Sequence, residues 1–440
     1  MSQYEDEFKR KIISAEEAAG LVKSGDLVAF SYGREATTLG YALVAKAGEV
    51  ENVRVHVPTP SRDFGWYDPG FEDFFSIELC FVLPVARRMM AERRGDYLIR
   101  PIYWTMEPGL RPAPDVLFVE VSPPDAHGFC SFGASLWDKK EATQNAKLVV
   151  AEFNANLIRT YGDNFVHISE IDYFVEHMPT GQAPGTTDML GRRDKGPGEI
   201  EKAIAENVAT VIRDGDTLEI GIGGTAEWLP RLGTFDNKSD LGWHSENTVP
   251  GIIRLVMEGV FTGKYKTLHQ GKVVATAVGG GTREEMEFVN MNPLFELYGS
   301  RYMLDPAIIA AHDNMVAINS CIAVDLTGQI SAESVGPTMV SGTGGQLAFA
   351  IGANLSKGGR FITVLTSTSR DGTASRIVPQ LEPGTIVTVP RTLTDIVVTE
   401  YGVARLKGKT QRERAEALIA IAHPDHRPEL RKAARKLFWP

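Results

Sequence analysis

Ala19-Gly20-Leu21-Val22-Lys23-Ser24-Gly25-Asp26-Leu27-Val28 is echoed by Ala209-Thr210-Val211-Ile212-Arg213-Asp214-Gly215-Asp216-Thr217-Leu218, with Gly25 and Gly215 lying 190 positions apart. The register continues without a gap, since Gly33 falls on Gly223 and Leu39 on Leu229. Each copy reads as a helix, a Gly-Asp turn, a buried strand, a glycine-containing turn and a second helix. One copy per half points to a duplicated unit. Short β-branched or apolar runs recur on both sides, at 53–57, 116–121, 148–152, 273–277 and 361–365. Apolar spacings of three and four between them, clearest at 200–208, mark helices that lay one stripe on a sheet. The expected class is therefore α/β, with two related domains of mainly parallel sheets flanked by helices.

The stretch from Met178 to Thr187, continuing to Gly198, is too rich in Pro and Gly for a regular element. It sets expected domains at 1–185 and 186–440, and reads equally as a plain linker or as a loop over a cleft. A chain of 440 residues with 43% hydrophobic content has enough apolar material for two separate cores. Its net charge of −10 offers no broad basic field, so neither nucleic acid nor an anionic membrane surface is an expected partner. The three cysteines, Cys80, Cys130 and Cys321, lack metal-ligand spacing and suggest reduced thiols in the cytoplasm. The acidic start, Met1-Ser2-Gln3-Tyr4-Glu5-Asp6-Glu7, is unlike a secretory signal, and no apolar run reaches membrane-span length.

The chemistry concentrates in the second half. Asp240-Leu241-Gly242-Trp243-His244-Ser245-Glu246-Asn247 sets one carboxylate among small and polar residues. Locally, Glu246 reads either as a nucleophile or as a cap of a helix beginning near Pro250. His244, two residues earlier, reads as a structural histidine or a ligand-orienting one, and no further ligand-spaced cluster turns the pair into a metal site. Ser341-Gly342-Thr343-Gly344-Gly345-Gln346 runs into the helical Leu347-Ala348-Phe349-Ala350-Ile351, so its backbone amides face whatever approaches the helix start. Tyr401-Gly402-Val403-Ala404 and Ile421-Ala422-His423-Pro424-Asp425 follow in order.

Together these segments resemble the acetyl-CoA hydrolase/transferase family, which includes the 4-hydroxybutyrate and butyrate:acetate CoA-transferases. The resemblance spans nearly the whole chain. It implies that Glu246 is the catalytic nucleophile, carrying the acyl group and then CoA, and that Gly344, Gly345 and Gln346 contact acyl group or CoA. It implies CoA-transferase-like domains with the active site largely on the second, coenzyme A as a substrate, and no metal or redox cofactor. The expected partners are an acyl-CoA, a small carboxylic acid such as acetate, butyrate or 4-hydroxybutyrate, and further copies of the chain in a homo-oligomer. The sequence departs from many relatives at Ala348, where they carry Asp.

Two alternatives keep the glutamate: an acyl-CoA hydrolase that admits water, and a transferase for a dicarboxylate such as succinate or itaconate. The latter needs a cation near the acyl pocket, for which Arg34, Arg62, Arg87 and Arg88 are the candidates. A third, of another class, is an NAD-binding oxidoreductase built on Gly221-Ile222-Gly223-Gly224-Thr225-Ala226, a loose dinucleotide pattern without its acidic partner. In the transferase reading Gly223 and Gly224 line the cleft instead. Lys357, in Lys357-Gly358-Gly359-Arg360, reads as a CoA-phosphate contact or as a basic turn at a helix end.

Overall fold

The computed structural model describes residues 3–103, 111–178, 196–279 and 281–440. The chain divides into two compact units, Met1–Arg192 with Thr276–Tyr302, and Arg193–Ala275 with Met303–Pro440. The first change of unit falls in the Pro- and Gly-rich stretch, whose residues 179–195 lie outside the described set together with the expected 185/186 boundary. Unlike the two unbroken segments expected, Thr276–Tyr302 rejoins the first unit.

The first unit is built on seven strands: β1 (Leu27–Phe30), β2 (Val53–His56), β3 (Phe75–Leu79), β4 (Asp96–Tyr97), β5 (Val116–Val121), β6 (Val149–Phe153) and β7 (Tyr173–Glu176). They lie in the order β7-β6-β5-β1-β2-β3-β4, all parallel. Every residue of β1 and β5 is buried, as expected for strands covered on both faces. Before β1 comes the helix α1 (Ala15–Ala19), started by a Ser14 capping box, and after it α2 (Thr37–Val44).

In the second unit, β8 (Thr217–Ile220), β9 (Gly242–Thr248), β10 (Met315–Ser320), β11 (Arg360–Val364), β12 (Ile396–Thr399) and β13 (Gly402–Arg405) run in the order β13-β12-β11-β10-β8-β9. Pairing is parallel except in the β12–β13 hairpin. Its helices include α3 (Glu199–Ala209), α4 (Gln346–Leu355), α5 (Gln411–Ala420) and α6 (Arg427–Phe438). The chain from Gln411 onward forms two helices, α5 and α6, separated at Pro424.

The faint repeat is a shared frame. β1 and β8 start and end 190 residues apart, as do the ends of α1 and α3. Gly25 and Gly215 both take positive φ, +83° and +73°, which glycine adopts without a Cβ penalty. The Lys23 amide donates to the Asp26 carboxylate at 2.8 Å, and the Arg213 amide to that of Asp216 at 2.7 Å. Gly25 N reaches Glu51 O at 3.0 Å and Gly215 N reaches Ser239 O at 3.0 Å. The copies part after the second turn, where α2 is matched by the 3-10 helix Ala226–Leu232. Pro230 stands where the first copy has Gly40, and its missing N–H and its ring forbid a regular α-helix there.

In both units the first strand has later strands on both sides, so connections diverge at its C-terminal end. That divergence opens the crevice where open α/β sheets bind ligands. In the second unit it lies between the ends of β8 and β10, beside β9.

Candidate active site

Three strand ends and one helix start build the site within the second unit. Glu246 lies inside β9, not at a helix N-cap: the helix Ile252–Met257 is preceded by Gly251 at φ +94°, five residues on. Local sequence suggested a cap because the carboxylate stands close before an apolar helix, but the strand continues to Thr248. Side chains around it lock the strand: Trp243 Nε1 donates to Thr248 Oγ1 at 3.1 Å, Ser245 Oγ to Asn247 O at 2.9 Å, and Lys266 Nζ to Trp243 O at 2.8 Å.

Opposite stands the start of α4. Gly345 is its N-cap residue and supplies no side-chain cap. Its N–H donates instead to Glu246 Oε2 at 2.8 Å. A carboxylate at a helix start is favoured by the unsatisfied amides and the helix dipole. The loop before it is held by Glu333, which accepts from Thr343 Oγ1 at 2.7 Å and, through its carbonyl, from the Ser341 amide at 3.1 Å. Gln346 is buried and turns its side-chain amide toward Ser320 O at 3.4 Å. Ala348 is buried in the first turns of α4.

Gly221 and Gly223 close the third side. A Cβ on Gly221 would stand 2.3 Å from Asn319 Oδ1, and one on Gly223 would stand 2.6 Å from Ser320 Oγ. Both glycines are therefore set by close packing against the end of β10, whereas a Cβ on Gly224 would meet open space. The dinucleotide reading loses its support here, because a 3-10 helix follows the turn where a pyrophosphate needs the start of a regular α-helix.

Two candidates fall outside this constellation. His244 is fully buried; its Nε2 donates to Met303 O at 3.1 Å, leaving Nδ1 to accept from His312 Nε2 at 3.1 Å. Burial pushes His244 well below the usual histidine range and His312 down to about 3, so both act as neutral struts. Lys357 lies just past the C-terminal end of α4, exposed and paired with Asp313 at 3.3 Å. The ten-residue helix, about 15 Å long by its rise, separates it from Gly345.

Glu246 keeps partial contact with solvent while protein closes around it. That burial raises its carboxyl from 4.5 to about 7, against the opposing pull of the Gly345 hydrogen bond. A nucleophilic carboxylate must be ionised, so turnover should rise with pH through this value. We expect kcat/KM, followed from about pH 5 to about pH 9, to show an acid limb near 7. A limb in the ordinary glutamate range would mean that Glu246 is not the titrating group.

A second polar cluster lies in the first unit. Ligand atoms of Glu120, Glu152 and His177 lie within 4.8 Å of one another, a spacing compatible with a metal ion. The oxygens are already engaged. Glu120 takes Arg34 Nε at 2.7 Å and Asn154 Nδ2 at 2.9 Å, while Glu152 takes Thr38 Oγ1 at 3.0 Å, the Leu39 amide at 3.2 Å and the His177 ring. With a guanidinium supplying the positive charge, the cluster fits a buried ion-pair network better than a metal site. Arg34, one of the candidate acid-binding arginines, is spent in it.

Sequence reasoning missed Glu219 and Asn319. Glu219 projects from β8 and accepts from Asn319 Nδ2 at 2.8 Å, both side chains being buried. The available signal was a single acid in the otherwise strand-like Thr217-Leu218-Glu219-Ile220.

Known proteins carry the same architecture. Residues 1–180 match the acetyl-CoA hydrolase/transferase N-terminal domain, and residues 281–434 the acetyl-CoA hydrolase/transferase C-terminal domain. The chain is 41% identical to the 4-hydroxybutyrate coenzyme A transferase of Clostridium kluyveri, over 99% of this chain and 100% of that one. It is 37% identical to the succinyl-CoA:cyclohexane-1-carboxylate CoA transferase of Geobacter metallireducens, over 99% and 97%. The crystal structure of 4-hydroxybutyrate CoA-transferase from Porphyromonas gingivalis superposes with a TM-score of 0.81 at 35% identity, covering 99% of this chain and 100% of that one. The chain belongs to the acetyl-CoA hydrolase/transferase family and is a CoA-transferase.

Proposed function

We propose that the enzyme moves coenzyme A between a short-chain acyl-CoA and a small carboxylic acid, with Glu246 as the covalent carrier. The observation that carries this reading is the Gly345 N–H on Glu246 Oε2 at the open start of α4. Glu246 attacks the thioester carbonyl, the C–S bond breaks, and CoA thiolate leaves a mixed anhydride. The thiolate then attacks the glutamyl carbonyl carbon, releasing the first acid as its carboxylate and leaving a glutamyl-CoA thioester. An incoming carboxylate repeats the sequence in reverse. In each attack on the glutamyl carbon, charge gathers on the oxygen that Gly345 already holds, so the amide serves as an oxyanion donor without rearrangement. No metal or redox cofactor takes part, and the thioester energy is kept as long as water is excluded.

Leu304 and Phe349, both fully buried, pack behind Gly345 and hold the start of α4 against Glu246. The 4-hydroxybutyrate activity named for the Clostridium and Porphyromonas proteins makes 4-hydroxybutyrate, butyrate and acetate the acids of choice. We place the enzyme in the cytoplasm as a homo-oligomer. Among the described residues no helix is long and apolar enough to cross a membrane.

Incubation with acyl-CoA alone, followed by borohydride, should reduce the glutamyl thioester to an alcohol and inactivate the enzyme. Peptide mass spectrometry should place the change on Glu246, and free acid added first should protect by discharging the intermediate. An unmodified Glu246 in active enzyme would reject the covalent cycle; CoA release without acceptor acid would turn the reading toward a hydrolase.

A further inference from the structure

Glu219 is an expensive residue to keep. It is 1% exposed and stands on the strand next to the one that carries Glu246. Burial and then the charge of Glu246 push its carboxyl well above the usual range. Two carboxylates so placed cannot both ionise cheaply. After burial, the charge of Glu246 is the largest influence on Glu219. The other titratable groups packed around β9 are engaged elsewhere. His244 and His312 are neutral and bonded to each other, and Lys266 donates to the carbonyls of Trp243 and Lys272. A glutamine would fill the same space without that cost, so retention of the acid calls for a reason.

The reason lies in what Glu219 holds. Its Oε2 takes the Nδ2 of Asn319, which fixes which face of that carboxamide turns outward. Asn319 Oδ1 then lies over Gly221, so close that a Cβ there would be 2.3 Å away. Asn319 is followed by Ser320, whose hydroxyl accepts from Ala226 N at 2.9 Å and whose carbonyl accepts from Gln346. One side chain thereby sets the end of β10, the Gly221 turn and, through Ser320, the first residue of α4.

We infer that Glu219 is a positioning residue for the transfer reaction: by accepting from Asn319 Nδ2 it holds that carboxamide over the Gly221 turn, on the strand beside the one that carries Glu246. The inference rests on Glu246 being the nucleophile. At alkaline pH Glu219 loses its proton, and a second charge beside Glu246 repels the anionic acid and the anionic CoA. Wild-type kcat/KM should therefore fall at alkaline pH, and that fall should be absent once Glu219 is replaced by glutamine.

The test compares wild type, Glu219→Gln and Glu219→Ala, each assayed for borohydride labelling, kcat, KM and pH profile, with melting curves taken alongside. Glutamine reproduces the neutral acid and can accept from Asn319. It should keep turnover within about threefold of wild type and lose the alkaline limb. Alanine should lower kcat by tenfold or more with a smaller change in KM for acyl-CoA. If the alanine variant fails to fold, the glutamine pH profile decides alone. A glutamine variant as impaired as alanine, or one that retains the alkaline limb, overturns the inference. Failure to label Glu246 in wild type overturns the transfer reading itself, so the two failures are told apart.

Discussion

Glu246→Gln should abolish CoA transfer while leaving a folded protein that still binds CoA. The substitution keeps volume and polarity but removes the nucleophile, and the Gly345 N–H retains an oxygen to donate to. Turnover should fall by at least about a hundredfold, the range typical of lost nucleophiles, and retention of more than about a tenth would sink the assignment. The same variant carries a stability signature. Glu246 titrates near 4.5 in an unfolded chain and at about 7 in the folded one. Between those values the folded state binds more protons, so wild-type stability falls as pH rises from the lower to the higher and then levels. Glutamine escapes that loss. The variant should therefore match wild type near pH 4.5 and exceed it by up to about 3 kcal/mol above pH 7, measured by denaturant unfolding at several pH values.

Gly345→Val should be nearly as damaging to catalysis, for a steric reason. A Cβ at Gly345 would lie 2.2 Å from Glu246 Oε2 and 2.4 Å from Leu304 Cδ2. Leu304 is buried and has little room to move, so the carboxylate must shift away from the amide that holds it. Turnover should drop by about two orders of magnitude, against a stability loss of about 1–3 kcal/mol from overpacking. Thermal melting and steady-state kinetics on the same preparation separate the two. Losses fully explained by unfolding would make the loop an ordinary turn.

Much of this frame can be read in the sequence because its strongest constraints are local. The Gly-Asp turns need positive φ followed by a carboxylate that caps the turn, and those demands leave a recognisable Gly25-Asp26 and Gly215-Asp216 at fixed spacing. The glycine loop ahead of α4 was legible for the same reason. What escaped was set by contacts between distant strands. For Glu246 local pattern leaves nucleophile and cap both open, because it cannot show that β9 runs on past it. The partnership of Glu219 and Asn319 spans 100 residues and has no local signature. Lys357 stands near Gly345 in sequence, and local pattern could not show that α4 sets the two a helix length apart.

The repeated frame also supplies a comparison within one chain. With β1 laid on β8, the strand pairings bring Ala29 onto Glu219, Pro58 onto Glu246 and Val119 onto Asn319. The first unit forms the same central sheet order and the same turn hydrogen bonds with none of these three polar groups. Architecture and chemistry are therefore separable in this chain. The first copy builds the frame without these three groups, and the second bears a charge-holding triad that the frame does not require.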